Sequence, residues 1–260
     1  MLMTNPRPEA GIIYKYYTSD DYISHTDSRR TIQEKVYGRV KACMTKKKLG
    51  IARKYIKAES PSLLDYGCGT GEFIIAAGKS GFNAIGYEPG AGAAGLAEGK
   101  GAELISEKRL RDQGPFYDVI SMWHVLEHIH NHNEVLNHTH KILKNSGLLV
   151  IAVPMATSYD ASYYREFWAG WDVPRHVWHF TPDTLTQTCK KHGFHLVARY
   201  AMPFDGFYIS MVSEQYQRGN ALMAFGRGLA IGLWSHLQAM AKKSPSSSAL
   251  FVFTKGDDQI

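Results

Sequence analysis

Leu63-Leu64-Asp65-Tyr66-Gly67-Cys68-Gly69-Thr70-Gly71-Glu72-Phe73 runs from an apolar stretch through an acid into a glycine-rich turn. Ser62 to Tyr66 reads as a buried parallel strand and Glu72 to Lys79 as the helix after it, which puts the glycines at the strand-to-helix turn. Glycine there accepts positive φ and lets a ligand touch bare backbone. A dinucleotide fingerprint needs G-x-G-x-x-G, but Glu72 stands where the last glycine would be, and a carboxylate at the mouth of the helix repels a pyrophosphate. No Gly-Lys-Ser/Thr follows, so the P-loop reading fails as well. The expected ligand carries no phosphate. A second strand, Asn83 to Glu88, also ends in an acid.

A strand ending in an acid, G-x-G-x-G, and a second strand ending in an acid together resemble the S-adenosylmethionine (SAM) loop of class I methyltransferases. SAM carries an amino group and a sulfonium but no phosphate, so acids around a glycine turn suit it. The resemblance implies that Asp65 orients the methionine end and that Glu88 takes both ribose hydroxyls. Gly67, Cys68, Gly69 and Gly71 would line the cofactor, with S-adenosylhomocysteine as product. A glycine turn in some other α/β fold is the alternative for this tract alone.

Outward from the loop, strands and helices alternate from Pro61 onward, the pattern of a doubly wound α/β sheet with helices on both faces. Seven strands are expected: Ser62 to Tyr66, Asn83 to Glu88, a brief one at Ala102 to Ile105, Tyr117 to Met122, Gly147 to Val153, Phe194 to Tyr200, and Ser246 to Phe253. The Rossmann-like sheet implied by the resemblance is mostly parallel with its last strand antiparallel. The glycine-rich run after Glu88 predicts a short or mobile helix, since each interior glycine costs about 1 kcal/mol relative to alanine. Thr181-Pro182-Asp183 caps a further helix that Gly193 stops.

Two regions flank or interrupt that pattern. Residues 1–58 are read as an N-terminal flap and helix: tyrosines (Tyr14, Tyr16, Tyr17, Tyr22), the hydroxyl cluster Ser24 to Ser28, then a capping box at Thr31 to Glu34 opening an amphipathic helix towards Lys57. Packing of the tyrosines on that helix is the plainer alternative to a flap over a ligand. Residues 59–260 form the methyltransferase domain, with an apolar, helix-like insertion at about 206–244 framed by Arg218, Arg227, Lys242 and Lys243. Packing on the sheet, a substrate lid, or contact with an anionic membrane surface would each account for it.

Trp123-His124-Val125-Leu126-Glu127-His128 follows the fourth strand at its carboxyl end, where ligands bind in open α/β sheets. Trp123 and His124 are therefore candidate cofactor contacts. H-x-x-E-H is also an inverzincin zinc pattern, which would make a zinc-dependent hydrolase. That motif needs a long helix presenting both histidines, whereas His124 sits about two residues beyond a strand. With the loop upstream, the tract is similar to the "hVLEH" segment of the type-23 methyltransferase domain group, and Trp171 to Thr181 is similar to that group's "D-x-P-R-H-x-x-H-F-T" segment. Ubiquinone-pathway O-methyltransferases, which this chain resembles, carry an acid at the first position and can use a divalent metal through it. Here that position is His124, so no metal ligands are assigned.

The 260 residues carry net charge +6 and 44% hydrophobic content, enough for one cored domain with appendages. Basic residues are spread, with Lys46-Lys47-Lys48 read as a solvated helix face. The base-gripping Asn/Asp-Pro-Pro-Tyr/Phe of nucleic-acid amino-methyltransferases is replaced by Met122-Trp123-His124-Val125, so nucleic acid is not the expected partner. Three cysteines without a C-x-x-C pair and no signal-like N-terminus suggest a cytoplasmic protein.

In-line methyl transfer needs alignment and exclusion of water, plus a base for a protonated acceptor. His176 and His179, beside Tyr163, Tyr164, Phe167, Trp168 and Trp171, are the first candidates and His128 the third. The expected acceptor is a small molecule, such as a sugar, phenol or lipid-linked metabolite, methylated on oxygen or nitrogen. A non-catalytic SAM-binding protein is the rival from another class.

Overall fold

The computed structural model describes residues 1–17, 32–218 and 221–256. The hydroxyl cluster Ser24 to Ser28, Tyr22 and the Thr31 to Glu34 capping box lie outside the described residues and side chains. In chain order the elements are β1 (Leu2–Met3), α1 (Ile32–Lys54), β2 (Ser62–Tyr66), α2 (Glu72–Lys79), β3 (Asn83–Tyr87), α3 (Ala91–Gly99), α4 (Glu107–Arg111), β4 (Tyr117–Trp123) and α5 (His132–Ile142). They continue with β5 (Leu143–Pro154), α6 (Tyr159–Tyr164), β6 (Trp178–His179), α7 (Pro182–Lys191), β7 (Phe194–Ala201), α8 (Pro203–Arg218), α9 (Ala221–Met240) and β8 (Ser248–Lys255).

The main sheet has six strands in the order β3-β2-β4-β5-β8-β7, and β8 alone runs antiparallel to its neighbours. The expected strand at Ala102 to Ile105 is corrected to a single parallel bridge, Gly86 with Leu104. Gly86 uses its one N–H and one C=O on Glu103 and Ile105, and no further ladder forms along this outer edge of β3. That reduces seven strands to six.

Strand alternation sorts the core onto the two faces of the sheet. Leu64, Ile120, Leu149, Ile151, Phe251 and Phe253 pack on one face, while Leu63, Val119, Leu148, Val150, Leu250 and Val252 pack on the other. With both faces covered, β5 can be apolar without a break from Leu148 to Pro154, as buried parallel strands are. The order in which strands are added reverses at β2, because β3 lies on one side of β2 and β4, parallel to it, on the other. A crevice opens at the carboxyl ends of such a pair.

α7 begins as its sequence predicts: Thr181 and Thr184 form a capping box with proline in the first turn. The glycine-rich α3 is nine residues long. The insertion is a helix pair, α8 and α9. It packs on the segment after β5 through a separate small core of Ala161, Tyr164, Trp168 and Ile209. Beneath that core Asp160 is fully buried and accepts from Trp168 Nε1 (2.7 Å), Ser235 (2.8 Å) and Ser247 (2.5 Å), tying α6, α9 and the approach to β8 together. Among the described residues, no helix is long and apolar enough to cross a membrane.

Candidate active site

The glycine loop leaves β2 with Gly67, Gly69 and Gly71 all at positive φ (73°, 55° and 77°). At Gly67 and Gly71 a side chain would collide with Val125 and with Ala102, so those two are demanded by packing as well as by backbone. A Cβ at Gly69 would meet nothing within 4 Å. That open face is where a ligand can reach the backbone. Cys68 turns the other way, its sulfur against Gly86, and burial pushes its thiol up to about 12, so only its backbone remains for a ligand.

Three charged groups surround the loop. Asp65, 2% exposed at the end of β2, accepts from Ser121 Oγ on β4 at 2.6 Å. Burial raises its carboxyl to about 7, against the lowering effect of that hydrogen bond. Glu88, just past β3, accepts from Gly69 N with one oxygen and from Gly90 N with the other, both at 2.8 Å. Its carboxylate is thereby pinned across the loop. Glu72, at the helix mouth, is neutralised outward by Lys41 and by Lys100 at 3.8 Å.

Lys48 adds a fourth charge and a correction. Lys48 does not lie on a solvated helix face: its ammonium sits 4.3 Å from the centre of the Trp123 ring, which also meets Phe73 edge-on. Burial lowers the Lys48 pKa, and the nearby Asp205 and Asp65 act against that. Helical spacing does separate the three lysines: Val40, Met44, Lys48 and Ala52 stand four residues apart on one side of α1, while Lys46 and Lys47 are exposed.

His124 follows β4 with φ of 55°, which aims its ring back over the strand end. Nε2 lies 3.0 Å from Asp205 on α8, and Nδ1 lies 3.4 Å from Glu127. Burial alone would lower its pKa, but the hydrogen bonds with Asp205 and then Glu127 outweigh it and raise the group to about 9. At neutral pH His124 is therefore a cation between two acids, suited to positioning rather than to accepting a proton. Asp205 was not among the expected site residues, since nothing in the insertion's sequence ties it to the post-β4 tract.

Glu127 is 1% exposed and, apart from the ion pair with His124 Nδ1 at 3.4 Å, neither oxygen has a hydrogen-bond partner; His176 Nε2 is 4.0 Å away. The neighbouring imidazoles hold its carboxyl below the ordinary range in spite of burial, led by His124 and then His128 and His176. Among the described residues, Glu127, His128 and His176 bring one ligand atom each within 4.8 Å of one another. His128 Nδ1 lies 3.1 Å from the Arg175 carbonyl and His176 Nδ1 lies 2.9 Å from the Gly170 carbonyl. Donation there leaves both Nε2 lone pairs unprotonated.

The three candidate bases differ. Burial drives His176 down to about 4. His179 is also lowered by burial, and its Nε2 lies 3.0 Å from Thr4 Oγ1. Both line a crevice with Pro154, Trp168, Gly170 and Trp178 that is too narrow for even a water molecule. His128 is half-buried, with Tyr17 Oη 2.8 Å from Nδ1 and Asp172-bound Arg175 alongside. The N-terminal segment closes this side: β1 pairs with β6, Thr4 donates to the His176 carbonyl, and Arg7 lies over Trp178.

Residues 37–199 match the family model of a methyltransferase domain. No curated protein sequence is significantly similar to the chain. Among solved structures, phosphoethanolamine N-methyltransferase 2 of Haemonchus contortus, in complex with SAM, superposes with a TM-score of 0.55 at 16% identity, covering 82% of this chain. The chain spans 53% of that protein's length. Magnesium protoporphyrin IX methyltransferase of Synechocystis PCC 6803, with bound S-adenosylhomocysteine, superposes with a TM-score of 0.62 at 12% identity, covering 95% of this chain and all of its own. The [4+2]-cyclase SpnF superposes with a TM-score of 0.60 at 13% identity, covering 97% and 99%. At these identities the likeness is one of fold.

Proposed function

The chain belongs to the methyltransferase domain family, and we propose that it is a SAM-dependent enzyme that methylates an oxygen or nitrogen of a small polar acceptor such as a sugar, a phenol or a lipid-linked metabolite. The observation that carries the donor half is the Glu88 carboxylate, held by the amides of Gly69 and Gly90 across an open loop face. Each of its oxygens keeps a lone pair for a ribose hydroxyl. Asp65 takes the amino group of the methionine end, and Lys48 above Trp123 is placed for its carboxylate. Bound SAM supplies an electrophilic methyl group on a sulfonium, and S-adenosylhomocysteine is left.

The chain's own task is to align the acceptor, exclude water and remove a proton. His128 takes that proton on Nε2 as the acceptor attacks. Tyr17 and the Arg175 carbonyl orient its ring, and buried Glu127 stabilises the imidazolium that forms. His176 and His179 then shape the wall behind it rather than acting as bases. A small acceptor rather than nucleic acid, and a cytoplasmic setting, complete the reading. Incubation with methyl-labelled SAM and fractionated metabolites, followed by mass spectrometry, tests it: label is expected in a small molecule, and label in RNA, DNA or protein contradicts it.

A second reading is favoured by the buried Glu127 carboxylate, which has one ring nitrogen each of His128 and His176 within 4.8 Å. In it Glu127, His128 and His176 hold a divalent metal, with each histidine oriented by a backbone carbonyl behind it. Turnover that chelator abolishes and zinc or magnesium restores would select this reading; turnover indifferent to chelator selects His128 as base.

A further inference from the structure

The α8–α9 pair is built with its large apolar side chains outward. α9 meets α8 through small residues: Ala224, Gly228, Gly232 and Ser235 are buried, and a Cβ on Gly228 or Gly232 would strike Met211 or Phe207 at 2.6 and 2.8 Å. Phe225, Leu229, Leu233 and Leu237 recur every fourth residue on the exposed side, joined by Trp234 (48% exposed) and Met240 (67%). Phe204 and Tyr208 on α8 are exposed as well. A helix that spends its small residues on its neighbour and leaves leucines and a tryptophan in water is arranged for something outside the molecule.

Charge indicates what that is. From Pro203 to Ser248 the sequence holds two acids, Asp205 and Glu214. Asp205 is committed to His124 and Glu214 is 0% exposed, so the outer surface of the pair offers no carboxylate. Lys242 and Lys243 stand exposed at the end of the stripe. α9 does not qualify as a membrane span. An apolar stripe carrying tryptophan, with lysines at its end and no exposed acid, fits an interface helix that lies on an anionic bilayer.

We propose that α8–α9 docks this protein on anionic lipid surfaces, with Phe225, Leu229, Leu233, Trp234 and Leu237 entering the headgroup boundary and Lys242 and Lys243 meeting lipid phosphates. The proposal goes beyond the methyl-transfer reading and does not depend on it. Since α8 also supplies Asp205 to the site, docking would set the catalytic crevice beside the headgroup layer.

The test is co-sedimentation of the full chain with vesicles of phosphatidylcholine containing phosphatidylglycerol, against phosphatidylcholine alone. Binding is expected to the anionic vesicles at low salt, with release as the Debye length falls from about 30 Å at 0.01 M to about 3 Å at 1 M. Leu233→Glu and Leu237→Glu should each weaken binding on the order of tenfold or more, and Lys242→Glu with Lys243→Glu should erase the preference for anionic lipid. Unchanged melting curves confirm that the exposed substitutions leave the fold intact. No binding to anionic vesicles, or binding that Leu233→Glu leaves unchanged, overturns the proposal. So does light scattering that shows a wild-type dimer split by Leu233→Glu, because a second copy would then cover the stripe.

Discussion

Asp65 and Glu88 are both acids at strand ends, yet one is buried and the other is pinned by two backbone amides. Burial raises Asp65 to about 7, so on moving from acid to neutral pH it changes from a neutral acid to the carboxylate that the proposed contact with the cofactor's ammonium requires. SAM affinity should therefore rise as pH is raised from about 5.5 to 7.5, up to about tenfold per pH unit below the pKa. Isothermal titration across that range, with Asp65→Asn expected to flatten the profile, checks the assignment. Glu88 is held by two amides, and in the proposed ribose role its loss would remove charge-assisted hydrogen bonds. Glu88→Ala should weaken SAM by about 1–3 kcal/mol, and unchanged affinity in the same titration would remove the ribose role.

At the scale of elements, the consequential contact joins the end of β4 to the first turn of α8. His124 bridges Asp205 and Glu127, and its folded pKa of about 9 lies above the ordinary 6.5. A raised histidine pKa means the folded state holds the proton more tightly, so its stabilising effect is complete below about pH 6.5 and disappears as pH rises through about 9. Thermal melts of the protein and of His124→Gln should differ most near pH 6 and converge above about pH 9. A constant gap across that range would mean the imidazolium does not bridge the two acids. The same contact makes α8 part of the site although most of its length packs on Trp168 and α9.

For the whole molecule, the two sheet cores are separate from the small core under the helix pair. Replacing residues 203–244 by a short Gly/Ser connection should leave the sheet and its glycine loop able to bind SAM, while acceptor turnover collapses with the loss of Asp205 and the cover over Trp168. Calorimetry for the first and a labelled-methyl assay for the second separate the two effects. A variant that fails to fold would show that the helix pair is structurally required.

The strand, glycine turn and helix from Ser62 to Lys79 were legible in the sequence because each is coded locally, by apolar run length, glycine backbone freedom and helical period. The acids Asp65 and Glu88 were legible for the same reason, each closing its own strand. The strand expected at Ala102 to Ile105 was not decided locally: its apolar letters fit a strand, but an outer edge that gives it a single residue of pairing leaves only a bridge. The partners that Lys48, Asp205 and Tyr17 meet could not be read. The ring of His124 meets Asp205 across 81 residues of chain and that of His128 meets Tyr17 across 111. Sequence period determines which face of a helix is apolar, but only the packed topology decides which other element that face meets. The strand, glycine turn and acids of the proposed cofactor end were therefore written locally in the sequence, and the contacts of the proposed acceptor end were decided by the tertiary structure.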